Sequence, residues 1–133
     1  MSFESLDGAI VSFLNYGTGS ALDLSKAGRD NGTSVIGYQF HGGENQQWRL
    51  HKVDKSSVWP KWVIENTYST NNHQLWYLVT ADTAGRVFRI QNVGTGTYVD
   101  LLNGSSDNGT KISGWSGSVE AKNPHQLWRV LRY

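Results

Sequence analysis

Two segments of this 133-residue chain repeat each other at an offset of 77 residues. Residues 15–38 read NYGTGSALDLSKAGRDNGTSVIGY and residues 92–115 read NVGTGTYVDLLNGSSDNGTKISGW, so eleven of the 24 positions are identical. A Q-x-W motif follows each copy, at residues 46–48 and 126–128. Because a repeat of this kind buries its apolar face only against other copies, we expect about three units stacked around a shared axis.

Clusters of Gly with Asn, Asp, Ser and Thr divide the chain into short β-prone runs. Glycine accepts positive φ, and Asn and Asp side chains bond to nearby backbone, so these clusters predict turns. No long stretch shows helical periodicity, and many short strands at close spacing predict an all-β sandwich or barrel. The predicted strands are residues 10–14, 21–24, 34–40, 48–53, 62–65, 76–79, 87–90, 98–102, 111–115 and 127–131.

The segment between the two copies holds a degenerate third unit. Its residues 62–66, WVIEN, resemble FRIQN at residues 88–92. The tryptophan spacings leave two registers open: Trp76 closes a shortened second repeat, or it lies on that repeat's second strand. In either register this unit lacks the D-L strand and the D-N-G-T turn of the other two.

Composition argues against several classes of function. Twelve Lys and Arg against eleven Asp and Glu give a net charge of +1, which does not favour a nucleic-acid binder. The chain has no cysteine and no run of 18 apolar residues, so we expect neither disulfides nor a membrane-spanning helix. The N-terminus has no secretory signal pattern, which predicts a cytoplasmic or unconventionally released protein.

Catalytic and metal-binding patterns are also missing from the sequence. There is no G-x-S-x-G motif, and the four histidines lack the spacing of metal ligands. Asp23 and Asp100 fall in different repeats, so a glycosidase-like carboxylate pair is not expected. We therefore expect no enzyme activity, no cofactor and no metal.

The ordered set of D-L strand, D-N-G-T turn, glycine–aromatic pair and N-Q-x-W resembles the ricin-B-type β-trefoil lectins. The resemblance spans essentially the whole chain, and the cysteine-free form is similar to the small lectins of mushrooms. It implies an all-β fold: a pseudo-threefold six-stranded barrel capped by hairpins, with a shallow sugar site available in each repeat. We expect one domain over residues 1–133, with repeats at about 9–53, 54–86 and 87–133.

The resemblance assigns the sugar-binding residues of the first and third repeats. The aspartate of the D-L strand, Asp23 and by the offset Asp100, is expected to hold two ring hydroxyls, because carboxylates accept strong charge-assisted hydrogen bonds. The competing interpretation is an aspartate that only braces its own turn. Tyr38 and Trp115 are expected to form the floor of each site, since a flat ring packs on the C–H face of a pyranose.

The N-Q-x-W motif supplies the amide of the site in the first repeat. The resemblance implies that Asn45 bonds a sugar hydroxyl beside the aspartate. His125 holds the matching position in the third repeat, where it can donate or accept a hydrogen bond. Asn123 is an alternative there if its loop brings it close to the sugar.

The other motif residues are interpreted as mainly structural. Gln46 and Gln126 are expected to bond backbone at the hairpin, and a contact with the sugar's edge stays open for both. Trp48 and Trp128 are expected in the core, where truncation should cost on the order of 3–5 kcal/mol. The two D-N-G-T turns are read as tight hairpin turns without a role in binding.

Together these residues predict a non-catalytic lectin that binds glycans or glycoproteins through the first and third repeats. Relatives of this type favour galactose or N-acetylgalactosamine, mannose-binding members exist, and a role in defence against fungus-eating animals is implied. One shallow site should bind a monosaccharide near 1 mM, about −4 kcal/mol. Two sites engaged together would raise avidity by about 10²–10⁴.

Two functions of other classes stay open. A β-trefoil protease inhibitor would act through exposed loops, with residues 53–61 and 116–124 as the candidates. A non-catalytic partner subunit would expose an apolar patch, expected around Trp59, Trp62 and Trp76. The oligomeric state is also open, a homodimer included.

Overall fold

Among the residues that the structure describes, ten short strands form a single sheet. The computed structural model describes residues 6–25, 34–53, 60–66, 75–81, 86–117 and 123–133. The strands are β1 Ile10–Asn15, β2 Ala21–Leu24, β3 Val35–Tyr38, β4 Trp48–Lys52, β5 Trp62–Asn66, β6 Leu75–Thr80, β7 Val87–Asn92, β8 Tyr98–Leu101, β9 Thr110–Trp115 and β10 Trp128–Arg132. All ten predicted strands are present, each with bounds within two residues of the prediction.

Six of these strands close into a barrel. Around the ring, β1 pairs with β4, then follow β5, β6, β7 and β10, and β10 pairs back with β1. Long and short pairings alternate: β10–β1, β4–β5 and β6–β7 each align five residue pairs, whereas the other three pairings each align two. This alternation is the pseudo-threefold symmetry expected from the repeats.

Two hairpins sit on the barrel, β2–β3 and β8–β9, and they meet through a β3–β9 pairing. Thirty-two residues separate β1 from β4 and 35 separate β7 from β10, whereas eight separate β5 from β6. Eight residues cannot hold two further strands together with the links that join them. In the described residues, the middle unit contributes two barrel strands and no hairpin like those of the other two units.

The sheet register decides between the two positions left open for Trp76. Each Q-x-W tryptophan pairs with the asparagine that ends the next barrel strand around the ring: Trp48 with Asn66, Trp76 with Asn92 and Trp128 with Asn15. Trp76 thus closes a shortened second repeat and does not lie on that repeat's second strand.

Apolar side chains from all six barrel strands fill the interior. Trp62, Trp128, Phe13 and Phe88 are its largest fully buried members. Burial of such rings removes the largest apolar areas from water, and their transfer is the main force that holds the barrel closed. Within the part of the chain that the structure describes, no helix is long and apolar enough to cross a membrane.

The repeated N-x-G-T-G sequence forms the same turn after β1 and after β7. Asn15 Oδ1 accepts hydrogen bonds from the backbone N–H groups of Gly17 and Thr18, at 3.0 and 3.2 Å. Asn92 Oδ1 accepts from Gly94 and Thr95 in the same way, at 2.9 and 3.0 Å. An asparagine that bonds its own backbone two residues on stabilises a turn, which explains why this motif is duplicated.

Candidate functional site

The carboxylate of Asp23 is the centre of the site in the first repeat. Asp23 lies on β2 and is 2% exposed. Its Oδ1 accepts a hydrogen bond from Asn45 Nδ2 at 3.0 Å, and its Oδ2 accepts one from Gln46 Nε2 at 2.8 Å. Because a carboxylate has about four acceptor positions, two remain for hydroxyl donors from a ligand.

Gln46 anchors this carboxylate to the loop that precedes β4. Its Nε2 also donates to the Gln39 carbonyl at 3.0 Å, and its Oε1 accepts from the backbone N–H groups of His41 and Gly42. The side chain is fully buried. Bonding to backbone at the hairpin is therefore found as expected, and both N–H groups of Gln46 are used within the protein, while its contact with a sugar's edge stays a prediction.

The third repeat reproduces this support. Gln126 Nε2 donates to Asp100 Oδ2 at 2.9 Å and to the Ser116 carbonyl at 3.0 Å, so both of its N–H groups are used within the protein. Trp128 Nε1 donates to the carbonyl of Val99, the residue before Asp100, at 3.1 Å.

Trp48 does the same in the first repeat. Its Nε1 donates to the carbonyl of Leu22, the residue before Asp23, at 3.1 Å. The Q-x-W motif thus holds the D-L strand at two adjacent points, at the aspartate's carboxylate through Gln and at the preceding carbonyl through Trp. The motif is structural, and what it positions is the aspartate.

An open cleft of about 430 Å³ surrounds the Asp23 carboxylate. It brings together three predicted site residues, Asp23, Tyr38 and Asn45. It also contains side chains that the sequence did not single out for binding. The lining residues are Asp23, Ser25, Ile36, Tyr38, His41, Asn45, Asn108 and Gly109.

His41 is one of the unpredicted members of this cleft. Its Nδ1 accepts from the Gly43 N–H at 2.9 Å, so Nε2 carries the proton and faces Asp23 Oδ2 at 3.7 Å. Its ring meets Tyr38 edge to face with centroids 6.0 Å apart. A lone histidine in a loop carries no sequence pattern that would have marked it.

Asn108 and Gly109 are two further unpredicted members, and they come from the turn between β8 and β9. Asn108 Oδ1 accepts from the Gln39 N–H at 2.8 Å. The D-N-G-T turn of the third repeat was expected to be purely structural, but the β3–β9 pairing places it on the wall of the first repeat's cleft.

The third repeat's site is less complete. Trp115 is 58% exposed and free to pack against a ligand. His125 does not take the place that Asn45 has beside Asp23: no hydrogen bond or ion pair joins it to Asp100, and its imidazole packs directly against Gly104. Asn123 Oδ1 accepts from the His125 N–H and caps the short 3-10 turn Pro124–Gln126, and no hydrogen bond joins the described residues Asn123 and Asp100.

The alternatives to a sugar site gain little from the described residues. Trp62 is fully buried and so cannot join an exposed patch with Trp76, which is half-buried, while Trp59 lies outside the described residues. Most of the two candidate inhibitory loops, at 54–59 and 118–122, lies outside them as well. Among the described residues, no three His, Asp or Glu side chains lie close enough to hold a metal ion.

Comparison with known proteins identifies the family of this chain. The sequence matches the family described as ricin-type β-trefoil lectin domain-like over residues 2–72 and again over residues 72–132. The chain belongs to that family. No curated protein matches it.

Solved structures with the same fold cover nearly the whole chain. The Rhizoctonia solani agglutinin has a TM-score of 0.83 at 22% identity, covering 96% of this chain and 97% of its own. A Macrolepiota procera ricin B-like lectin in complex with lactose has a TM-score of 0.74 at 25% identity, with the same coverage. ThreeFoil, a designed threefold-symmetric protein, has a TM-score of 0.71 at 26% identity, covering 92% and 97%. The β-trefoil fold expected from the sequence is thereby confirmed.

Proposed function

We propose that this protein is a non-catalytic lectin that binds glycans of the galactose or N-acetylgalactosamine type, with mannose-type glycans as the second class. The observation that carries the proposal is the Asp23 carboxylate, fixed by Gln46 and Asn45 in an open cleft that also holds the Tyr38 ring. Two spare acceptor positions suit two neighbouring hydroxyls, and the ring suits the C–H face of the same sugar.

The preference for galactose-type ligands draws on one relative. The Macrolepiota procera lectin is in complex with lactose, a galactose-containing disaccharide. Membership of the same family supports a glycan as the ligand of this chain, and the cysteine-free sequence fits the small fungal lectins. The third repeat, with Asp100 and the exposed Trp115, would serve as a second and weaker site.

The arrangement favours binding over hydrolysis. Asp23 and Asp100 lie on different hairpins, and among the described residues no second carboxylate lines the Asp23 cleft. Glycoside hydrolysis ordinarily needs two carboxyl groups on either side of one bond. A single carboxylate that two amides already anchor is suited to accept hydrogen bonds from the hydroxyl groups of a ligand. That ligand is then released chemically unchanged.

A glycan array tests the proposal, run with the wild type beside Asp23→Ala and Asp100→Ala. We expect binding to galactose-terminated glycans that falls at least tenfold with Asp23→Ala and by a smaller step with Asp100→Ala. Glu65→Gln is the matched control, because it removes a carboxylate on β5 outside both sites. A wild type that keeps a folded β-rich spectrum and binds no glycan would reject the lectin.

A further inference from the structure

The cleft around Asp23 is built by two repeats. Its floor and its carboxylate come from the first repeat, but part of its wall is the turn between β8 and β9 of the third. Gly109 N–H donates to the Gly37 carbonyl at 2.9 Å, and the Gln39 N–H donates to Asn108 Oδ1 at 2.8 Å. One hydrogen bond between backbone groups and one between backbone and side chain, joining residues 72 and 69 positions apart, therefore hold this turn at the rim.

These contacts fix the orientation of the Asn108 amide. A backbone N–H can only donate, so the atom facing Gln39 must be the oxygen of the amide. The Nδ2 group then keeps two N–H donors, and no described residue accepts from them. Gly109 has φ +89°, a conformation that glycine adopts without strain, so the turn takes this shape at little cost in free energy.

We propose that Asn108 is a ligand-binding residue of the first repeat's cleft, donating from Nδ2 to an oxygen of the bound sugar. This inference rests on the proposed lectin function. Asp23 accepts hydrogen bonds from hydroxyl groups of the sugar, whereas Asn108 donates hydrogen bonds to their oxygens. The two residues therefore recognise the donor and the acceptor of a hydroxyl group, respectively. With Asn108 in the wall, the cleft selects for the position and orientation of the sugar's hydroxyl groups more strictly than Asp23 would alone.

The sites of the first and third repeats differ in this wall. By the offset of 77, Gly114 and Ser116 correspond to Gly37 and Gln39. Threefold symmetry would place a hairpin of the second repeat against them, but β5 and β6 are joined by only eight residues. Among the described residues, the third repeat's site has no counterpart of Asn108, so we expect the first repeat's site to be the stronger one.

Calorimetric titration with lactose in an Asp100→Ala background isolates the first repeat's site, with methyl α-mannoside as a second probe. Asn108→Asp keeps the oxygen that Gln39 bonds but loses the N–H donors, and Asn108→Ala loses both. We expect each to raise Kd about three- to tenfold, as the loss of one hydrogen bond would. Ser106→Ala is the matched control, because Ser106 is exposed on the same connection between β8 and β9 but is not among the described residues that line the cleft, so Kd should stay unchanged.

A second measurement separates binding from folding. In the wild type, the side-chain amide resonances of Asn108 should shift on sugar addition, and the backbone resonance of Gln39 in Asn108→Asp should stay close to its wild-type position. An unchanged Kd in both Asn108 variants, together with loss of binding in Asp23→Ala, would overturn this inference. The proposed lectin function would still hold. Absence of binding by the wild type would instead overturn the proposed function, and this inference with it.

Discussion

Gln46 Nε2 lies 2.8 Å from Asp23 Oδ2, and Gln126 Nε2 lies 2.9 Å from Asp100 Oδ2. In both repeats the same nitrogen also donates to a backbone carbonyl of the preceding loop, at 3.0 Å. A buried glutamine thus joins the carboxylate, the loop and the barrel strand that follows. The carboxylate is held in position before any ligand arrives, which lowers the cost of ordering it on binding.

Replacing Gln46 with alanine should lower both stability and sugar affinity. The change leaves Asp23 with one amide donor fewer and deprives the His41 and Gly42 N–H groups of their acceptor. Unpaired buried polar groups cost about 1–3 kcal/mol each, so we expect the free energy of unfolding to fall by about 3 kcal/mol. Urea unfolding followed by tryptophan fluorescence measures this loss.

Gln91→Ala is the control for that prediction. Gln91 is half-buried on β7, and its Nε2 donates to the Gly96 carbonyl at 3.1 Å. Its replacement should cost less than about 1 kcal/mol. Equal losses for Gln46→Ala and Gln91→Ala would show that the buried glutamine has no special role in supporting Asp23.

Much of this arrangement was predictable because it is local and duplicated. The strands follow from β-prone runs between turn residues, and the aspartate, aromatic and amide positions follow from aligning residues 15–38 with 92–115. Asp23, Tyr38 and Asn45 are indeed brought into one cleft. Each of these signals is carried within a few residues of sequence.

What could not be predicted depends on pairing between distant strands. Asn108 reaches the first repeat's cleft only because β3 pairs with β9, with Gly37 opposite Thr110. No local pattern encodes that contact. The position of Trp76 was ambiguous for the same reason, since its spacing alone fits two registers and the five-pair alignment of β6 with β7 decides between them.

The three Q-x-W-type tryptophans should differ in their contribution to stability. Trp128 is fully buried and donates to the Val99 carbonyl, so Trp128→Ala should cost about 3–5 kcal/mol. Trp76 is only half-buried, and its repeat has no D-L strand to receive its indole N–H. We expect Trp76→Ala to cost about half as much in urea unfolding. A larger loss for Trp76→Ala than for Trp128→Ala would contradict the assignment of a shortened second repeat.

Gly37 should tolerate no side chain while Leu101 is present. A Cβ at residue 37 would lie 2.6 Å from Leu101 Cδ1, and Leu101 is fully buried. Overpacking of this kind costs about 1–3 kcal/mol, so Gly37→Ala should destabilise the protein by that amount. This close approach brings β3 against β8 and keeps the Gly37 carbonyl available to Gly109.

A double-mutant cycle tests the cause of that loss. In a Leu101→Ala background the space is vacated, so Gly37→Ala should cost less than about 0.5 kcal/mol although Leu101→Ala is itself destabilising. Strictly additive losses in the two variants would mean that the clash with Leu101 is not the reason for glycine at residue 37.

Trp115 should matter for sugar binding and hardly at all for stability. Its ring is 58% exposed at the end of β9, so Trp115→Ala should change the free energy of unfolding by no more than about 0.5 kcal/mol. A ring packed on a sugar contributes about 0.5–1.5 kcal/mol, so its loss corresponds to a rise in Kd of about three- to tenfold.

An Asp23→Ala background isolates the third repeat, and NMR titration with lactose measures the weak affinity that remains. Tyr16→Ala is the matched control, because Tyr16 is also 58% exposed and lies in the turn after β1. If Trp115→Ala and Tyr16→Ala bind lactose equally well, the ring of Trp115 takes no part in the third repeat's site.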